Sequence, residues 1–125
     1  MILGYGGIGR QVAKLGKVFG MRVTGVRRNP QDDEYADEVL GLDQFEELLP
    51  LTDYLVLASP DSSKNRDIIN ADILEKLNSS AMLINVGRGT AINEEDLTNA
   101  LNDGKIAAAA LDTTKVEPLD AIKFF

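Results

Sequence analysis

Residues 4–9, Gly4-Tyr5-Gly6-Gly7-Ile8-Gly9, constrain the fold of this chain more than any other feature. Their spacing is G-x-G-x-x-G, and the apolar run Met1-Ile2-Leu3 precedes them. Arg10 to Phe19 follows, and apolar residues at 8, 12, 15, 18 and 19 recur at helical spacing. Strand, glycine turn and helix in that order predict a βα unit whose turn accepts a dinucleotide. The first glycine permits the tight turn, the second lets a pyrophosphate approach the backbone, and the third lets helix and strand pack closely. The helix start then offers N–H groups and a positive dipole end to phosphate.

The remaining chain alternates in the same manner. Arg22–Val26 reads as a strand, closed by Arg27-Arg28-Asn29-Pro30. The acidic stretch 31–37 has no periodicity and is expected to be a solvated surface loop. Val39-Leu40 is a short third strand, and Leu42–Leu49 is a helix closed by Pro50. Tyr54–Ala58 and Ala81–Asn85 are continuous apolar runs, as expected of strands buried on both faces. A helix over Asp72–Leu77 takes Asn70 as its N-cap. Asn93 caps a helix that runs to Asn102 and ends at Gly104. Ile106–Leu111 is the last strand. Phe19, Phe45 and Tyr54 are expected in the core. The pattern predicts an α/β, Rossmann-type, doubly wound parallel sheet with helices on both faces.

Length and charge narrow the function. A chain of 125 residues fits one domain, here a dinucleotide-binding domain over 1–125. The first strand is short and the tail after Glu117 has no closing element, so a fragment of a larger protein is expected. The net charge of −7 opposes nucleic acid or an anionic membrane as partner. No apolar stretch approaches the ~20 residues of a membrane span. Cysteine is absent, which suits a cytoplasmic protein. Histidine is absent too, so no imidazole of this chain serves as general base or metal ligand. The carboxylates at 32–37 lack the spacing of a metal site, and no metal is expected.

Three strand ends carry candidate chemistry. Dinucleotide folds place an acidic residue at the end of the second strand to hold the ribose 2′-OH. Arg27 and Arg28 stand there instead, and a guanidinium pairs bidentately with a 2′-phosphate that a carboxylate would repel. NADP is therefore favoured over NAD. The run Asn85-Val86-Gly87-Arg88-Gly89 presents one arginine past a strand end, where it can clamp a carboxylate and polarise a carbonyl. Asp112, past the last strand, is placed to accept from a carboxamide, and Glu117 to orient a base or polarise a partner.

Taken together, Gly4–Gly9, Ile84–Gly89 and the stretch from Leu111-Asp112 to Glu117-Pro118-Leu119 resemble the signatures of the D-isomer-specific 2-hydroxyacid dehydrogenases. The resemblance runs the length of the chain. It implies backbone N–H groups of Gly7 and Ile8 on the pyrophosphate. It implies Ser59 and Pro60 beside the nicotinamide ribose, and Val86, Gly87 and Arg88 flanking the nicotinamide. Arg88 would be the catalytic arginine on a small 2-oxo acid, Asp112 the carboxamide partner, and Glu117 the residue that orients a catalytic histidine. A homodimer is implied as well.

That histidine and the family's substrate domain are missing from these 125 residues, so the chain alone is expected to be inactive. Thr113 and Thr114 also depart from the family pattern, as does the loop Asp61–Asn65. A non-enzymatic NAD(P)-binding sensor or interaction module of the same fold is the alternative, and a truncated product without function is a third reading.

Overall fold

The computed structural model describes residues 1–60 and 62–117. Pro118, Leu119, the tail 120–125 and Asp61, all part of the motifs above, lie outside the described residues. Among the described residues, six strands form one sheet: β1 (Ile2–Leu3), β2 (Thr24–Val26), β3 (Glu38–Leu40), β4 (Tyr54–Leu57), β5 (Met82–Asn85) and β6 (Ala108–Leu111). Their order is β3-β2-β1-β4-β5-β6, and every neighbouring pair is parallel. The helices are α1 (Gly7–Val18), α2 (Phe45–Leu48), α3 (Ala71–Lys76) and α4 (Glu94–Asn102). The predicted Rossmann-type sheet is therefore present.

Alternation along each strand divides the core. Leu3, Val26, Leu55, Leu57 and Leu83 point to one face, where Phe45, Leu49, Ile73, Leu74 and Leu97 cover them. Ile2, Val23, Val39 and Val56 point to the other, where Ala13 of α1 and Tyr5 pack.

The structure corrects the sequence reading in four places. First, α1 exists, but of the apolar residues at 8, 12, 15, 18 and 19 only Val12 packs towards the sheet. Ile8, Leu15, Val18 and Phe19 are exposed, whereas Gly9 and Ala13 are buried. Small residues line the sheet side because the helix sits so close: a Cβ on Gly9 would lie 2.6 Å from the Gly4 carbonyl oxygen, and one on Gly16 3.3 Å from Val23. Second, Phe19 is 80% exposed and Tyr54 is exposed as well, so of the three expected core aromatics only Phe45 is buried. Third, the helix over 42–49 is broken: two 3-10 turns, 42–44 and 49–51, flank the four residues of α2. Pro50 lies inside the second turn.

Fourth, the acidic segment is not simply solvated. Asp37 pairs with Lys17 at 2.8 Å and accepts the Val23 N–H at 2.7 Å. Asp33 accepts from Tyr5, Arg10 and the Tyr35 N–H. Only Asp32 and Glu34 of the cluster keep the expected exposure alongside Asp37, and Glu34 still pairs with Arg10 at 3.2 Å. The predicted caps hold: Asn70 accepts from the Ile73 N–H, Asn93 from the Asp96 N–H, and Gly104 ends α4 at φ +68°.

Candidate functional site

Because the sheet is parallel, every strand ends at one edge. That edge carries Arg27 and Arg28 after β2, the glycine turn after β1, Ser59 after β4, Val86–Arg88 after β5 and Asp112 after β6. The chain moves outward from β1 in both directions, so β1 and β4 flank the topological switch point, where ligands of open α/β sheets bind.

The glycine turn has the geometry its spacing predicts. Gly4 takes φ +93°, and a Cβ there would lie within 2.7 Å of the Ser59 backbone. Gly6 and Gly7 have no other atom within 4 Å of an added Cβ, which leaves open space above the turn. α1 begins at Gly7, with Gly6 as N-cap, no side-chain cap and no acidic residue in its first turn. Its positive end is left for an external anion.

Tyr5 sits between these glycines with its ring inside, 3% exposed and pressed on Gly25, where a Cβ would lie 2.6 Å from the ring. Its hydroxyl donates to Asp33 at 3.1 Å. Burial first, and the Asp33 carboxylate second, push the phenol up to about 12. Arg10 donates to Asp33 from Nε at 2.6 Å and stacks over Tyr35 at 4.5 Å. The hydrogen bond from Arg10, then that from the Tyr35 N–H, hold the Asp33 carboxyl below its ordinary range. Arg10, Tyr5 and Asp33 thus staple the segment after β2 onto the glycine turn. The sequence, which reads Asp33 only as part of a solvated loop, does not show these contacts, because they join residues 28 and 23 positions apart.

Arg27 is half-buried and its N–H continues the sheet to the Leu40 carbonyl; Arg28 is exposed. Neither guanidinium has an ion pair among the described residues. On the far side of the turn, Ser59 donates its hydroxyl to the Leu3 carbonyl at 3.3 Å. A Cβ on Gly87 would lie 2.8 Å from the Ser59 carbonyl oxygen. Ser59 is therefore wedged between Gly4 and Gly87. Pro60, exposed, accepts from the Asn65 amide at 2.9 Å.

The turn after β5 is closed by Asn85, which is fully buried. Its amide donates to the Arg88 carbonyl and its Oδ1 accepts the Gly87 N–H, both at 3.0 Å. The N–H groups of Val86 and Gly87 also reach the Leu57 carbonyl at 3.0 Å. These bonds spend the turn's backbone internally and leave the Arg88 side chain exposed, with no salt bridge among the described residues.

Asp112 stands exposed beyond β6, its N–H bonded to the Asn85 carbonyl. Thr113, one of the two departures from the family pattern, donates to the Gly87 carbonyl at 2.9 Å. Glu117 accepts the Thr114 N–H at 3.1 Å. Arg88, Thr113, Thr114 and Glu117 line one cavity of about 250 Å³. A larger cavity, about 500 Å³, lies at the opposite end of the sheet among the strand starts and holds none of these residues. No cluster of metal ligands occurs among the described residues.

A bare helix start over an open glycine turn, with unpaired arginines at one flank and one arginine at the other, fits a dinucleotide lying along the edge. Fold and site together define a dinucleotide-binding domain of the dehydrogenase class. The chain belongs to the D-isomer specific 2-hydroxyacid dehydrogenases: the model of that family's NAD binding domain matches residues 1–125.

It is similar to a family member from Aeromonas salmonicida subsp. salmonicida, with 41% identity and a TM-score of 0.90 over 96% of this chain and 39% of that one. It is similar to an NADPH-dependent glyoxylate/hydroxypyruvate reductase from Sinorhizobium meliloti, solved with NADP and sulfate, with 30% identity and a TM-score of 0.90 over 96% of this chain and 39% of that one. A human glyoxylate reductase/hydroxypyruvate reductase is 37% identical over 94% of this chain and 36% of its own length. The chain thus spans less than two fifths of these relatives.

Proposed function

We propose that this chain is the cofactor-holding part of an NADPH-preferring reductase of small 2-oxo acids, acting in the cytoplasm as a homodimer. The observation that carries the reading is the order of groups along one sheet edge. From β2 to β6 it runs cation pair, open glycine turn, Ser59, Arg88 turn, Asp112. At about 4.8 Å per strand, four steps span roughly 19 Å, the scale of an extended dinucleotide.

Arg27 and Arg28 would receive the 2′-phosphate, and the N–H groups of Gly7 and Ile8 the pyrophosphate. Gly6 keeps that approach clear, while Gly4 makes the turn and Gly9 lets α1 pack on β1. Ser59 and Pro60 would line the nicotinamide ribose, Val86 and Gly87 the ring, and Asp112 would accept from the carboxamide. The chemistry that a nicotinamide supplies is hydride transfer. Arg88 would pair with the acid's carboxylate and polarise its carbonyl oxygen. Glu117 would orient a histidine. None of the 125 residues is histidine, so the proton donor lies outside them.

The supporting test is direct titration of the chain with NADPH and with NADH, read by nicotinamide fluorescence, which no tryptophan complicates. NADPH is expected to bind at least about tenfold tighter. Arg27→Asp is expected to abolish that difference by weakening NADPH alone; equal losses for both cofactors would defeat the assignment. The chain by itself is expected not to consume NADPH in the presence of glyoxylate, pyruvate or hydroxypyruvate.

A further inference from the structure

We propose that Glu94 is a positioning residue for this site. Its buried carboxylate anchors the loop 113–117 beneath the Arg88 turn and so sets where Asp112 and Glu117 stand relative to Arg88. The proposal rests on the reading of that edge as the nicotinamide end.

Only three polar residues are buried among those described: Thr52, Asn85 and Glu94. Thr52 is accounted for by its bond to the Leu48 carbonyl, and Asn85 by the turn it closes. Glu94 is the first residue of α4 and only 4% exposed. A carboxylate in the first turn favours the helix dipole, but Glu95, beside it, does that from solvent. Burying a second carboxylate costs desolvation and calls for a partner.

A partner is found across the chain: Glu94 Oε1 accepts the Lys115 N–H at 3.2 Å. Lys115 belongs to the loop after β6, and that loop lies directly on the Arg88 turn. A Cβ on Gly89 would be 2.1 Å from the Thr114 carbonyl carbon and 2.6 Å from the Lys115 nitrogen. Thr113 ties the same loop to the Gly87 carbonyl, and the Lys115 ammonium pairs with Asp67.

Arg88 and Glu117 share a cavity only because this loop is held there, and Glu94 is not among the residues that line it. Glu94 thus acts on the site through the loop and not by touching a ligand. A charge-assisted bond is roughly twice as strong as a neutral one, which suits a carboxylate to this duty better than a hydroxyl.

The test uses the 125-residue chain and two variants, Glu94→Ala and Glu94→Gln, with two readouts. Amide hydrogen exchange is followed at 113–117. Affinities are measured for NADPH and for 2′-phospho-ADP-ribose, which lacks the nicotinamide. Glu94→Ala is expected to speed exchange at Lys115 at least about tenfold and to weaken NADPH about tenfold, leaving 2′-phospho-ADP-ribose unchanged. Glu94→Gln, which keeps an accepting oxygen in place but not the charge, is expected to restore most of both.

Unchanged exchange in Glu94→Ala would overturn the proposal. So would equal loss of both ligands, because that is what general destabilisation gives. If the unmutated chain binds neither ligand, the dinucleotide reading fails, and exchange at Lys115 alone decides whether Glu94 anchors the loop.

Discussion

At the scale of single residues, close approach governs the site more than charge does. Gly9 is set against the Gly4 carbonyl oxygen, so Gly9→Ala must push α1 off β1. A destabilisation of about 1–3 kcal/mol is expected in denaturant unfolding, together with loss of NADPH binding. Gly6→Ala meets no protein atom. It should leave stability within about 1 kcal/mol, yet weaken the dinucleotide, and a parallel loss in both measurements would argue against a pyrophosphate over the turn. Tyr5→Phe removes the bond to Asp33 at a cost of about 1 kcal/mol. The Tyr5 phenol titrates near 12, so this variant should match the wild type in phenolate absorbance through pH 10 and fall below it only in stronger base.

At the scale of elements, the segment after β2 shows why part of the site was hidden. Its carboxylates have no pattern of their own, and a solvated loop was the natural expectation. Their distant partners, Arg10 and Lys17 on α1 and the Val23 N–H, become visible only once α1 and β2 are placed side by side. Asp33 and Asp37 have carboxyl pKa values lowered by folding. Their stabilisation is therefore complete above the ordinary value of 3.8 and is lost as pH falls through the depressed folded values. In urea titrations, Asp33→Asn should be less stable than the wild type at pH 7, and the gap should close towards pH 2. A gap that stays constant would mean that the Arg10 pair carries no stability.

The strand-end residues were legible because a parallel sheet brings every strand end to one edge, whatever loops intervene. Gly4–Gly9, Arg27, Arg28, Arg88 and Asp112 needed nothing more. Asn85, Glu94 and the place of Ser59 were not legible, because each acts through a contact that only the finished fold creates. Helical spacing identified α1 but not its face, since the sheet accepts glycine and alanine where it has no room for leucine.

At the scale of the whole molecule, that outward face matters. Leu15, Val18 and Phe19 place large apolar side chains on the surface of one helix, each more than 60% exposed. On the proposed homodimer, a second copy of the same face would cover them. Leu15→Glu with Phe19→Glu should shift sedimentation from dimer to monomer at micromolar concentration while leaving the NADPH affinity unchanged. A monomeric wild type would remove the homodimer from the reading.

Ser59, gripped between Gly4 and Gly87, has a consequence for how such a protein can change over generations. The turn that would cradle phosphate and the turn that would aim Arg88 share one spacer of backbone. A substitution that widens one presses, through Ser59, on the other. Grip on the pyrophosphate and orientation of an acid would then be inherited as a linked pair. Diversity is free to accumulate at Arg27 and Arg28, which no such wedge couples to the Arg88 turn.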